Sequence, residues 1–273
     1  MSKVKIRKRQ ELEEKRVLRQ KKTEQKVKNK YLITLAYDGS SYGGYAKQKH
    51  KNTVQNVLER TLSDYLKTEI KTTEASRTDA KVHALCQKIM FEIDQKLELR
   101  KFQTQINENL PKDIIVFNIE LVNHDFHCRY DVINKTYEYT ITNKLDPRNI
   151  QYSWFINKKL NVDLMKKSSQ CLVGKHDFAT FKAAKATTDT SVRTINYLEI
   201  NQKDENIIIR INADGFLYNM VRLIVKALID VGSSSKHPSY MQTLLDMQQK
   251  PDNLESAPAQ GLCLTEINYQ TKR

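Results

Sequence analysis

Arg77, Thr78, Asp79 and His83 stand within seven residues of one another, in the stretch Ala75-Ser-Arg-Thr-Asp-Ala-Lys-Val-His-Ala84. An alternating run, Lys88-Ile-Met-Phe-Glu-Ile93, follows. A carboxylate at the mouth of a strand can serve as a nucleophile or as a base. The nearby Arg77 would hold Asp79 ionised, because an opposite charge within a few Å favours the charged form. Taken alone, the spacing is equally compatible with a surface ion pair. His83, His127 and His176 admit the acid–base chemistry of an RNA-cleaving enzyme. They fall on separate elements with no diagnostic spacing, so structural hydrogen bonding is the simpler reading for His83 and His127. Asp177 beside His176 reads as a turn or cap residue.

The elements that position these groups are written in two periodicities. Tyr31–Tyr37 reads as a strand. Val54, Val57, Leu58, Leu62, Tyr65 and Leu66 recur at helical spacing. Ile89, Phe91 and Ile93 alternate as a half-buried strand. Leu99, Phe102, Ile106 and Leu110 mark a helix stopped by Pro111, and Ile114–Val122 is a further strand. A similar plan returns. Thr136–Thr142 alternates, Val162–Leu172 is helical, and Val192–Ile200 and Ile207–Ala213 read as strands. Phe216, Met220, Leu223, Ile224, Ala227, Leu228 and Val231 form a long apolar stripe, which predicts a largely buried helix. Leu262–Tyr269 closes the chain as a strand. The expected fold class is α+β. Two pseudo-symmetric halves, residues 31–125 and 126–273, flank a central cleft. A basic extension, residues 1–30, precedes them and is helical or disordered.

The chain of 273 residues carries a formal net charge of +14. Such a balance favours a polyanionic partner through phosphate neutralisation and counterion release. The first 30 residues hold 13 Lys/Arg against four Glu, a net +9, so the remaining 243 residues carry only +5. The extension is therefore a solvated tail, an RNA-contacting arm or a membrane-surface helix, the last the least suited because its apolar face is poor. There is no run of 18 apolar residues, so no membrane span is expected. Cys86, Cys128, Cys171 and Cys263 are scattered, without Cys-x-x-Cys spacing. They fit a reducing cytoplasm, and no metal site is expected.

Several segments together resemble one family. Tyr37-Asp-Gly-Ser-Ser-Tyr-Gly-Gly44 is similar to that family's opening strand and turn, and Thr53-Val-Gln-Asn-Val-Leu-Glu59 to its first helix. Phe126-His-Cys-Arg-Tyr130 and Lys135-Thr-Tyr-Glu-Tyr139 resemble the strand pair carrying its active-site tyrosine. Gly174–Phe178, Gly215–Arg222 and Ala257–Leu262 match later segments in order. The family is that of the tRNA pseudouridine synthase A enzymes, and the likeness covers residues 31–270. Its signature at 76–84 reads Gly-Arg-Thr-Asp-Ala-Gly-Val-His-Ala. Ser76 and Lys81 stand where it has glycine, and Tyr45-Ala46 where it has Trp-Gln.

The resemblance implies uridine-to-pseudouridine isomerisation in the tRNA anticodon arm, positions 38–40, without cofactor or metal. It implies a homodimer. Asp79 matches the catalytic aspartate, with its role as nucleophile or base left open. Tyr137 would stack on the flipped uracil, and Leu262 would pack its other side. Arg222 would be the charge partner of Asp79, since an unpaired arginine on an apolar helix is costly. Arg77 would face RNA and fill the space left by the flipped base. Lys81 has two readings: contact with an RNA phosphate, or crowding of the loop. The departures at Ser76 and Lys81 also keep open a tRNA-binding module with impaired catalysis.

Overall fold

The structure, a computed structural model, describes residues 28–183, 190–247 and 249–270. In the first half β1 (Asn29–Tyr37) pairs antiparallel with both β3 (His83–Ile93) and β4 (Ile114–Val122). The short β2 (Thr73–Glu74) pairs with β3. Two helices, α1 (Val54–Leu66) and α2 (Leu99–Asn109), make the connections. Thr53 caps α1, its hydroxyl accepting from the Asn56 N–H at 3.3 Å, which satisfies one of the free donors of the first turn. The strand begins at Asn29, inside the segment expected to be extension. Lys30 is held there by bonds from its Nζ to the carbonyls of His124 (2.7 Å) and Phe126 (3.0 Å).

The second half comprises β5 (Val132–Thr142), β6 (Trp154–Phe155), α3 (Val162–Ser169), β7 (Gly174–Asp177), β8 (Val192–Lys203), β9 (Asn206–Ala213), α4 (Met220–Gly232), α5 (Tyr240–Asp246) and β10 (Leu262–Tyr269). The ten strands of the described residues belong to one mixed sheet, whose main path runs β4-β1-β3-β10-β5-β9-β8-β7, with β2 paired to β3 and β6 to β5 off that path. The last strand, β10, lies between the halves, parallel to β3 and antiparallel to β5. Its insertion sets Cys263 against His83 and Leu262 against Tyr139. The loop that precedes β3, the start of β10 and the middle of β5 therefore meet at one place.

Alternation along the strands decides the faces. Tyr31, Ile33 and Leu35 of β1 join Tyr137, Tyr139 and Ile141 of β5 in one core with the helices. Ten of the thirteen residues of α4 are buried. The other three, Arg222, Lys226 and Asp230, recur every four positions and form a single polar stripe. Lys226 and Asp230 pair with each other along it at 2.5 Å. Arg222 is left to point toward the first half.

Two expectations change. The segment Phe126–Tyr130 is a turn, not a strand. His127 Nδ1 accepts from the N–H groups of Arg129 (3.2 Å) and Tyr130 (3.3 Å), which closes it. This turn covers part of the other sheet face, where Leu32, Met90 and Cys128 form a small second cluster. Hence Met90, expected on an open face, is buried. Elements β7 and α5 had no counterpart in the sequence reading, being too short to carry a period.

Candidate active site

Asp79 lies on the loop between β2 and β3, and that loop is held from below. The Tyr45 N–H donates to the Thr78 carbonyl at 3.0 Å, and the Lys81 N–H to the Tyr42 carbonyl at 3.3 Å. Gly44, at φ +110°, lies so close that a Cβ there would sit 2.9 Å from the Thr78 carbonyl oxygen. A Cβ on Gly39 would come within 2.1 Å of the Val82 carbonyl oxygen. Glycine at both places allows this approach of backbone to backbone. The run Tyr37–Gly44 is thus the bed on which the Asp79 loop rests.

From the sheet side the loop is gripped by Gln87, which is fully buried on β3. Its Nε2 donates to the Ser76 carbonyl at 2.7 Å, and its Oε1 accepts from the Ser76 N–H at 3.3 Å. Tyr37 and Thr78 share a hydroxyl–hydroxyl bond of 2.7 Å beside it. A second hydroxyl pair, Ser76 Oγ and Tyr137 Oη at 3.0 Å, ties the loop to β5.

Opposite stands α4, whose first residues come from a left-handed turn at Asn219 (φ +64°). Arg222 Nη1 lies 3.3 Å from Asp79 Oδ2 and 3.0 Å from Asn219 Oδ1. Its Nε donates to the Ala257 carbonyl at 2.7 Å, and its Nη2 to Ser256 Oγ at 3.1 Å. One guanidinium therefore joins the Asp79 loop, α4 and the segment leading to β10. Burial raises the Asp79 carboxyl above its ordinary value, and the Arg222 charge and hydrogen bond pull it back in part. Arg77 plays no such role. Its Nε donates to Glu74 Oε1 at 2.8 Å, so the expectation that Arg77 keeps Asp79 ionised is corrected.

These groups line a cleft of about 630 Å³, with Arg77, Asp79, Tyr137, Arg222 and Leu262 all on its wall. Tyr137 and Leu262 are each 6 % exposed. The Tyr137 ring stands edge-on to Phe216 at 5.1 Å, and burial raises its phenol well above the ordinary range. Lys81 does not border the cleft, although Ala80 and Val82 on either side of it do.

The model of one protein family, described as tRNA pseudouridine synthase, matches residues 33–131 and 169–270. A "tRNA pseudouridine synthase A 2" of Clostridium perfringens is 39% identical over 239 residues, which is 87% of this chain and 98% of the relative. A protein of the same name from Bacillus cereus is 38% identical over 244 residues, 88% of this chain and 100% of the relative. The "tRNA pseudouridine synthase A" of Clostridium acetobutylicum is 37% identical over 239 residues, with shares of 87% and 98%. The chain belongs to the tRNA pseudouridine synthase family. As a member of it, the protein is an isomerase acting on tRNA.

Within this synthase the departures from the family signature acquire a geometry. Lys81 adopts φ +65°, a left-handed conformation that glycine takes without strain. Ser76 is buried, and its hydroxyl meets Tyr137, a bond glycine cannot make. Tyr45, where the family has tryptophan, is wholly buried under Tyr37.

The histidines stay outside the cleft wall. His83 Nδ1 accepts from the Gly39 N–H at 3.1 Å, and its Nε2 lies 2.9 Å from the Gln151 carbonyl. Asp38 Oδ1 also lies 3.1 Å from Nδ1. Asp177 Oδ1 accepts from the Ala179 N–H at 3.0 Å, a turn contact.

Sequence reasoning did not single out Gln87, Glu74, Arg129 or Lys135. Gln87 carried one usable signal, a polar side chain inside an apolar strand. Of the others, Arg129 and Lys135 act through partners remote in the chain, and Glu74 joins a remote arginine, Arg129, to the nearby Arg77.

Proposed function

We propose that this synthase converts uridine to pseudouridine at positions 38–40 of the tRNA anticodon stem-loop, with Asp79 as the catalytic carboxylate. In the reaction the uracil N1–C1′ bond breaks, the base turns, and a C5–C1′ bond forms. C5 loses its proton and N1 gains one, so the change is redox-neutral. The observation that carries the reading is the Asp79–Arg222 pair on the wall of a cleft that also presents Tyr137 and Leu262. A flipped base costs a few kcal/mol to unstack, and an aromatic face recovers part of this. Tyr137 would supply that face, with Leu262 packing the other side of the uracil. Arg77, 69% exposed at its side chain, would meet the RNA around the vacated position.

Two further parts of the proposal concern organisation. The cleft draws Asp79 from residues 31–125, and Tyr137, Arg222 and Leu262 from 126–273, which supports a division into two halves. The sheet face away from the main core carries Leu85, 62% exposed, and Ile115, 46% exposed, beside a mostly apolar cavity of about 440 Å³. Covering that surface is what a homodimer would accomplish, and a cytoplasmic location suits the four free cysteines.

The test is tritium release from tRNA labelled at uridine C5, with wild type beside Asp79→Asn. Release by wild type alone is expected, and it should vanish from tRNA bearing cytidine at positions 38–40. Absence of release with tRNA binding intact would favour a binding module in which the Ser76 and Lys81 changes have impaired the chemistry.

A further inference from the structure

Next to Asp79 the cleft holds a second group of charges that the isomerisation leaves unused. Glu74, on β2, is buried, and only 5% of its side chain is exposed. One of its oxygens, Oε1, receives both Arg77 Nε, at 2.8 Å, and Arg129 Nη2. Arg129 Nε also donates to the Glu74 backbone carbonyl at 3.2 Å. One residue on, Lys135 Nζ donates to the Ala75 carbonyl at 2.7 Å. Arg77, Arg129 and Lys135 all line the same cleft as Asp79.

The three cations face one carboxylate, leaving an excess of two positive charges at this end of the cleft. Burial, and then the neighbouring Arg129, pull the Lys135 ammonium down to about 8. Burial is the larger cause, and the Arg129 charge beside it adds to the cost of a second cation here. Glu74 fixes the orientation of two guanidiniums without satisfying them: a guanidinium carries five donors, and Arg129 and Arg77 remain 35% and 69% exposed at their side chains. Planar forks held in this way suit a phosphate.

We propose that Arg129 and Lys135, with Arg77 and oriented by Glu74, form a subsite for a backbone phosphate of the RNA beside the flipped nucleotide. This rests on the reading of the chain as a tRNA-acting synthase. The subsite would fix the strand so that the target uridine enters over Asp79, which is five residues beyond Glu74.

Salt dependence separates this role from simple bracing of the loop. The affinity of the full chain for tRNA is measured across a potassium chloride series for wild type, Arg129→Gln, Lys135→Gln and Lys135→Arg, with thermal midpoints and tritium release alongside. A lost phosphate contact lowers the slope of log K against log salt by about 0.7–0.9. The Gln variants are expected to bind more weakly with slopes reduced by that amount, and Lys135→Arg is expected to keep the wild-type slope. Weaker binding or a lower midpoint with unchanged slopes would overturn the subsite and leave a bracing role. Should a variant fail to fold, wild type is titrated with anticodon stem-loops bearing one neutral methylphosphonate at each phosphate near the target uridine. One position is expected to flatten the slope, and equal slopes at all of them would refute the proposal. Reduced slopes with no tritium release from wild type would uphold the subsite and sink the synthase reading instead.

Discussion

Asp79 and Arg222 stand 143 positions apart in the chain and 3.3 Å apart in space, joining the two halves of the molecule across the cleft. The pair is unequal. Arg222 has three further acceptors, on Ala257, Asn219 and Ser256, whereas Asp79 depends on Arg222 to offset the cost of burial. Arg222 is anchored with or without the carboxylate, and its charge is aimed at it.

The first consequence concerns acid inactivation. Burial raises the Asp79 carboxyl and Arg222 lowers it, so removing the arginine should raise it further. If turnover needs ionised Asp79, activity falls as pH drops through that value. Arg222→Gln is therefore expected to move the acid limb of the kcat/KM profile to higher pH. Profiles of the two proteins on the same tRNA check this, and superimposable acid limbs would show that Arg222 does not tune the carboxylate.

Asp79→Asn should separate function from stability. A carboxyl raised by folding contributes stability below its unfolded value, and loses it as pH rises through the folded value. At neutral pH the ionised group is therefore a liability. The variant is expected to lose turnover by on the order of 10⁴-fold, yet to melt no lower than wild type at pH 7. Its stability advantage should shrink toward pH 4. Calorimetry at the two pH values decides the point, and a large drop in midpoint at pH 7 would contradict it.

How much of this was legible depended on the range of the signal. The strands Ile114–Val122 and Leu262–Tyr269 and the helix from Val54 emerge where periodicity placed them, because each buries one regular face. Arg222 stood out as the odd cation on an apolar stripe. The parallel insertion of β10 beside β3 left no local trace, since strand order is set by packing across the whole sheet. Glu74 and Lys135 carried no local signal until folding brought Arg129 and Ala75 against them, and Gln87, a polar residue in an apolar strand, did not reveal Ser76 as its partner. Arg77 was misread for the same reason. Its nearest carboxylate in the sequence is Asp79, yet the structure turns it back toward Glu74.

Lys81 is held at φ +65°, where a non-glycine residue carries a strain of roughly 1–2 kcal/mol. Lys81→Gly relieves it but gives back about 0.4–1 kcal/mol through the more flexible unfolded chain. The expected net effect is a gain of between zero and about 1.6 kcal/mol, read as a midpoint higher by about 2–4 °C per kcal/mol gained. Because Lys81 does not border the cleft, relief of crowding is not expected to raise turnover. A weaker, less salt-sensitive affinity for tRNA is expected if its exposed ammonium meets phosphate.

Tyr137 joins a ring and a hydroxyl with separable duties. Tyr137→Phe keeps the ring and removes the 3.0 Å bond to Ser76, a loss of about 1 kcal/mol in stability. Turnover should stay within roughly tenfold if stacking is the ring's role. Tyr137→Leu removes the stacking face, worth about 1–3 kcal/mol per base, and should cost on the order of 10–100-fold more. Steady-state kinetics on both variants tests the division, and equal losses would transfer the role to the hydroxyl.

The basic head sets the last test. Residues 1–27 lie outside the described structure, while Lys28 precedes a strand whose Lys30 is bonded to His124 and Phe126. A truncation should therefore stop at residue 27. It removes 11 Lys/Arg and four Glu, half of the net charge of +14. An RNA-contacting arm predicts an unchanged melting midpoint, a lower tRNA affinity and a salt slope reduced by several units. A slope and affinity equal to those of the full chain at moderate salt would make the head a solvated tail, leaving the cleft and its flanking cations to hold the tRNA.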